Sequence, residues 1–126
     1  MIPGYAGKIL RIDLTNKKAR IETLDEELVK RYIGGVGIAA HILYHEVKQG
    51  VDPLSPENKL IFATGPLTGT FWTSAGRCVA VSKSPLTGIW AESHSGGFFG
   101  PEIKYAGYDL IVIEGKSEEK VYVYIE

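Results

Sequence analysis

The sequence has 126 residues, of which 44% are hydrophobic and 23% charged, enough for one core and too apolar for a disordered chain. Fourteen Lys and Arg stand against fifteen Asp and Glu, a net charge of -1, so the basic excess of a nucleic-acid or anionic-membrane binder is missing. Cys78 is the single cysteine, which excludes an internal disulfide framework and any zinc or iron–sulfur site built from several cysteines of this chain.

Residues 8–14 alternate so that Leu10, Ile12 and Leu14 share one face, the pattern of a strand. A polar turn over 15–18 and a returning strand over 19–23 make a hairpin. Thr23 and Glu26 have the spacing of a capping box, which predicts a helix running to Ile33 and stopped by Gly34 and Gly35. A second helix is predicted over 37–49, with Ile38, Ile42 and His45 on one stripe beside Leu43 and Val47. Pro53 and Pro56 make 51–58 a loop. Strands are predicted over 59–64, 77–82, 89–92, 110–114 and 121–125, with a short helix over 97–106. Glycine and proline cluster between Gly65 and Gly107, and Pro-Leu-Thr-Gly occurs twice there, at 66–69 and 85–88. Proline followed by glycine suits two similar tight turns at strand ends. No amino-terminal basic and apolar leader is visible and no apolar run nears the ~20 residues of a membrane span, so a cytoplasmic protein without membrane contact is expected. The sequence stops inside its last predicted strand, which suggests a single domain over 1–126 belonging to a longer protein.

Four motifs bear on chemistry. Gly35-Val36-Gly37-Ile38-Ala39-Ala40 fits a dinucleotide fingerprint, yet a helix precedes it instead of a strand, so a helix–helix corner is the better reading. His41 and His45 share a helix face without a third ligand and read as a packed stripe with Tyr44. Cys78 alternates with Arg77 along a strand and reads as core. The stretch 93–100, Ser-His-Ser-Gly-Gly-Phe-Phe-Gly, joins a strand to a helix and reads either as an anion nest or as a structural bend. Arg77 lies in the same region and offers a planar fork to phosphate or to a polar heterocycle.

Several segments together resemble the N-terminal domain of the aldehyde ferredoxin oxidoreductase family, the tungsten-pterin enzymes. They include Gly7-Lys8-Ile9-Leu10-Arg11-Ile12-Asp13-Leu14, the run from Val51 to Leu60, Gly65-Pro66-Leu67-Thr68-Gly69-Thr70 and Ala75-Gly76-Arg77. They continue through residues 82–88, Ser95-Gly96-Gly97-Phe98-Phe99-Gly100 and Lys104-Tyr105-Ala106-Gly107-Tyr108-Asp109. The resemblance implies an α+β domain of two packed β-sheets with short helices that cradles one side of a bis-pterin tungsten or molybdenum cofactor. It implies a [4Fe–4S] cluster held by later domains, and ferredoxin and an aldehyde as partners of a homo-oligomeric enzyme. Arg77 matches an arginine that contacts the pterin, and Gly96, with Ser95 and Gly97 around it, matches the pterin phosphate loop. His94 stands where the family commonly has Asn; the resemblance implies either a backbone carbonyl lent to a Mg2+ bridging the pterin phosphates, which His supplies as well, or a contact of the amide side chain, which His does not. No catalytic residue is expected within these residues. Two other readings remain open at this point: the tungsten subunit of an aromatic acyl-CoA reductase, and a non-catalytic β-rich binding or assembly module. Phe71, Trp72, Phe98 and Phe99 are expected to form an exposed apolar patch.

Overall fold

Alternation along the first strand sets the two faces of the structure, a computed structural model that describes residues 2–126. β1 (Lys8–Asp13) turns Ile9 toward one side and Leu10 and Ile12 toward the other, and all three are buried. β2 (Lys18–Thr23) pairs antiparallel with it as the expected hairpin, Leu10 opposite Ile21. α1 (Glu26–Tyr32) and α2 (Gly35–Glu46) follow, then β3 (Lys59–Thr64), β4 (Cys78–Lys83), β5 (Trp90–Ser95), α3 (Phe99–Tyr105) and β6 (Leu110–Glu114).

The α+β reading holds, but the strands form one layer, not two packed sheets. Their order is β2-β1-β6-β3-β4-β5 in a single six-stranded sheet. β6 is the cause. It lies parallel to β1 and antiparallel to β3, joining the amino-terminal hairpin to the β3–β4–β5 meander. Helices then cover both faces. Val29, Ile38, Ile42 and Leu43 of α1 and α2 pack on Ile9, Ile61, Val79, Val81, Leu110 and Val112. Ile103 of α3 packs on Leu10, Ile12 and Ile111 opposite. Burial on both faces explains why the inner strands read as apolar runs. No helix among the described residues is long and apolar enough to cross a membrane.

Three local expectations are corrected. Thr23 cannot cap α1 because it is still paired with Lys8 in the hairpin; Asp25 does so, accepting a hydrogen bond from the Glu27 N–H at 3.0 Å. α2 starts at Gly35 and ends at Glu46, since Val47 is already extended while its N–H reaches Leu43 O. Residues 121–125 are not a strand. β6 has β1 on one edge and β3 on the other, so a segment turning back from it finds no free ladder. Tyr122 and Tyr124 are exposed there, and Ile125 packs on the α3-side cluster.

Two buried charges organise this fold. Asp109 is 1% exposed, and its carboxylate accepts hydrogen bonds from the N–H groups of Ala6 (3.1 Å), Gly7 (2.7 Å) and Lys8 (3.3 Å) and from Lys104 Nζ (2.6 Å). Its carbonyl accepts the N–H and hydroxyl of Thr64, tying β3 to the same point. Arg11, 6% exposed, lies on the α1–α2 side of β1 and forks onto the Glu46 carboxylate of α2 while its Nε donates to Glu22. Lys59 and Glu114 complete the group.

Asp109→Asn should destabilise the chain by about 3 kcal/mol, because an amide cannot accept from three N–H groups and Lys104 is left as an unpaired, nearly buried cation. Urea unfolding followed by circular dichroism measures it. A second expectation concerns acid. Burial opposes the Glu46 charge, but the hydrogen bonds and field of Arg11, with Lys59 beside it, outweigh burial and hold the carboxyl below its ordinary 4.5. The unfolded chain therefore takes up this proton first, so the stabilisation is complete above about pH 4.5 and is lost as pH falls through the lower folded value. Urea midpoints should drop over that range, and Glu46→Gln should flatten the drop.

Candidate functional site

The ladder between β4 and β5 brings the expected site residues to one corner of the sheet. Cys78 pairs with Ser95 and Val79 with His94, so Arg77 and Gly96 lie one step beyond at the same end. His94 and Ser95 belong to β5 itself, which extends to Ser95 and not only to residue 92. β5 is an edge strand, and along one of its faces the Glu92 carboxylate accepts from Trp90 Nε1 at 3.1 Å and meets His94 Nε2 at 3.4 Å. Beyond Ser95 the chain bends through Gly96 and Gly97 into α3, whose first turn has no side-chain cap.

Opposite this bend stands the loop of residues 65–77. It opens with one Pro-Leu-Thr-Gly turn, in which Thr68 N–H reaches Gly65 O, and narrows again where Gly69 N–H donates to Ala75 O at 2.9 Å. The second copy turns after β4 with a wider closure, Gly88 N–H on Ser84 O, and both end in a left-handed glycine, Gly69 at φ 78 and Gly88 at φ 72. The repeat is thus a pair of similar turns at strand ends. Thr68 adds something its twin lacks: its buried hydroxyl donates to Arg77 O at 3.0 Å and accepts from Gly65 N–H at 3.1 Å. Tyr105 of α3 reaches across to Gly69 O.

The glycines here differ in what they permit. A Cβ on Gly76 would lie 2.6 Å from Gly97 O, so the loop and the bend are in backbone contact. A Cβ on Gly100 would lie 3.1 Å from Gly76 O, so α3 is seated against the same loop. Gly96 has open space around it and no left-handed φ, so nothing in the fold itself demands glycine there.

Arg77 is exposed, and among the described residues its guanidinium has neither a hydrogen bond nor an ion pair. The aromatics expected at the surface are there: Phe71, Trp72 and Phe98 stand open around the corner, with Phe99 half covered and edge-on to Phe62. Clefts of about 510 Å³ beside α3 and about 660 Å³ beside α2 lie elsewhere, lined by none of these site residues except Phe99 at the rim of the first. The corner is an open shelf.

The remaining motifs resolve as packing. Cys78 is buried, and burial pushes its thiol pKa up, away from a reactive thiolate. His41 stacks between Tyr32 and His45, at 4.9 and 4.3 Å between ring centroids. Burial, followed by the fields of His45 and Arg31, lowers its pKa, so the ring packs neutral. The glycine corner before α2 follows a helix, as expected. Its turn is strained: Ile33 has φ 64 and ψ -65, with Gly34 N–H on Tyr32 O at 2.7 Å, a γ-turn in the sparsely populated left-handed half of the map. No group of three metal-ligating side chains occurs among the described residues.

The corner is thus an exposed arginine, unpaired among the described residues, beside a glycine bend of an α+β domain. Residues 9–126 match the family described as "Aldehyde ferredoxin oxidoreductase, N-terminal domain", and the chain belongs to that family. It is 53% identical over 122 residues to the tungsten-containing aldehyde ferredoxin oxidoreductase of Pyrococcus abyssi, covering 97% of this chain and 20% of that protein. The enzyme of the same name from Pyrococcus furiosus is 51% identical over 123 residues, covering 98% of this chain and again 20% of the relative. The fold superposes with a TM-score of 0.97 and 45% identity on a chain of the active site complex of benzoyl coenzyme A reductase bound to 1,5 dienoyl-CoA, covering 99% of this chain and 19% of that one. The chain thus spans about a fifth of the length of the relatives it matches.

Gly76→Ala should lower stability by about 1–3 kcal/mol, because a methyl has no room against Gly97 O, whereas Gly96→Ala should stay within about 0.5 kcal/mol of wild type. Thermal melts of the two variants make the comparison.

Proposed function

We propose that this domain cradles one side of a bis-pterin tungsten or molybdenum cofactor in an enzyme that oxidises aldehydes to carboxylic acids with ferredoxin as electron acceptor. The observation that carries the reading is the shelf at Arg77 and Gly96. Arg77 presents five N–H donors that no group among the described residues uses. Gly96 keeps space open where the fold would accept a side chain, as close approach of a ligand requires. This donor set suits an anionic, oxygen- and nitrogen-rich pterin phosphate, so the residues present fit the group.

In this reading the Arg77 fork bonds ring and phosphate oxygens of a pterin, and Gly96 and Gly97 let the phosphate come close to the backbone. Ser95 would add a hydroxyl, and His94 would offer its backbone carbonyl to a Mg2+ that neutralises phosphate charge. When bound, the metal–pterin group supplies the redox chemistry, and this domain supplies binding, orientation and charge. A [4Fe–4S] cluster requires thiolates from outside these 126 residues, whose only cysteine is buried. Exposed Phe71, Trp72 and Phe98 are suited to contact with further polypeptide or a second subunit of a cytoplasmic homo-oligomer. The aldehyde reading is favoured over an aromatic acyl-CoA reductase by the higher identity to the aldehyde enzymes, 53% against 45%.

Arg77→Lys in the cofactor-loaded enzyme that contains this domain keeps the charge and loses the fork. One charge-assisted hydrogen bond is worth about 1.5–3 kcal/mol, so cofactor retention should fall by roughly tenfold or more. Arg20→Lys is the control, since Arg20 lies on β2 at the far edge of the sheet with its side chain 63% exposed. Tungsten per protein and the rate of ferredoxin reduction are the readouts; equality of Arg77→Lys with wild type on both would overturn the assignment. The 126 residues alone should bind no iron–sulfur cluster after anaerobic reconstitution, as iron analysis would show.

A further inference from the structure

We infer that Thr68 is the positioning residue for Arg77, an inference that rests on the cofactor role proposed for that arginine. The Arg77 guanidinium has no partner of its own among the described residues, so its placement is set by the backbone from which it projects. That backbone is pinned by Thr68. The threonine is 6% exposed, and its hydroxyl donates to Arg77 O at 3.0 Å while accepting the Gly65 N–H at 3.1 Å. One side chain therefore ties the first residue of the loop to the last. Its methyl lies against Gly100, where an added Cβ would come within 3.1 Å, so the same residue also fixes the start of α3 beside the Gly96–Gly97 bend.

The repeated turn supplies an internal comparison. Thr87 holds the equivalent place in the second Pro-Leu-Thr-Gly, and there the threonine is exposed and its hydroxyl makes no hydrogen bond among the described residues. That turn closes through Gly88 N–H on Ser84 O and through the Ser84 hydroxyl, which accepts from the Leu86 and Thr87 N–H groups. The second turn thus takes its hydroxyl from Ser84, and the first, which opens on glycine, takes one from Thr68 through the Gly65 N–H; only the Thr68 bond to Arg77 O has no counterpart. The Thr68 hydroxyl serves the arginine's backbone, and its buried bond to Arg77 O is a feature that the turn does not explain.

Thr64 makes the control, because it too is a buried threonine in this end of the sheet whose hydroxyl donates to a carbonyl, that of Asp109, at 2.9 Å. Thr68→Val, Thr68→Ser, Thr64→Val and Arg77→Lys would be prepared in the cofactor-loaded enzyme that contains this domain. Tungsten per protein, the paramagnetic resonance spectrum of the half-reduced tungsten and its midpoint potential would be measured, with thermal stability alongside. Thr68→Val should lose tungsten by about tenfold and alter spectrum and potential in the direction seen for Arg77→Lys, as groups that orient a binding residue do. Thr68→Ser should restore both, and Thr64→Val should match wild type in metal content and spectrum while melting as early as Thr68→Val. If Thr68→Val does not accumulate, Thr68→Cys, with a weak donor in the shape of serine, makes the same comparison against Thr68→Ser. Impairment by Arg77→Lys with Thr68→Val indistinguishable from Thr64→Val would overturn the positioning role alone. A silent Arg77→Lys would overturn the cofactor assignment and the positioning role with it.

Discussion

Burying the Asp109 carboxylate is tolerable because both of its oxygens are occupied. An ionised carboxylate out of water costs several kcal/mol unless it is paired and hydrogen-bonded, and here three backbone donors and one ammonium do both. The arrangement reaches further than its own energy. The donors belong to the segment entering β1, the ammonium to α3, and the backbone of Asp109 joins β1 and β3 through Lys8 O and the Thr64 N–H. Lys104 closes the circuit by also donating to Gly4 O. The amino terminus, the inner strands and the helix beside the Gly96–Gly97 bend are therefore held to one point. The shelf at Arg77 stands on a frame fixed some distance away.

That frame explains how so open a corner can have defined geometry. Neither Arg77 nor Gly96 is packed in place by its own side chain. Their positions follow from the β4–β5 ladder, from the backbone contact of Gly76 with Gly97, and from Gly100 seated against the loop. Glycine acts in two senses here. At 76 and 100 it lets chain approach chain; at 96 it leaves room that the chain does not take. The distinction separates glycines that build the corner from one that a ligand would need.

Much of this was legible in the sequence, for reasons that can be named. The hairpin followed from strict alternation around a polar turn, and the inner strands from short apolar runs. The class followed from both, but the count of sheets did not, because β6 pairs with β1 across nearly the whole chain and local pattern carries no trace of such a partner. The same partner defeated the reading of 121–125, whose alternating Val and Tyr would suit a strand had an edge been free. Thr23 lost its capping role to the ladder in the same way. At the site, Arg77 and the stretch 93–100 stood out from their own residue types, their roles toward a pterin came from the family resemblance, and the ladder brings them to one corner. Thr68 was visible only as half of a repeat, since what distinguishes it from Thr87 is the neighbour that tertiary structure brings. The Arg11 group was invisible for a related reason: Glu22, Glu46, Lys59 and Glu114 come from four separate elements.

The central place of β6 also bears on how the chain is made. Ile9 must wait for Leu110, roughly a hundred residues later, before β1 gains its inner neighbour, and contacts at such separation slow folding. During synthesis the amino-terminal hairpin and the β3–β4–β5 meander can each form, yet each presents an unpaired apolar edge where β6 belongs. The nascent domain thus remains two sticky halves until its final strand leaves the ribosome. The Arg77 corner rests on one half and Asp109 arrives with the closing strand, so the shelf is finished only when the sheet is zipped.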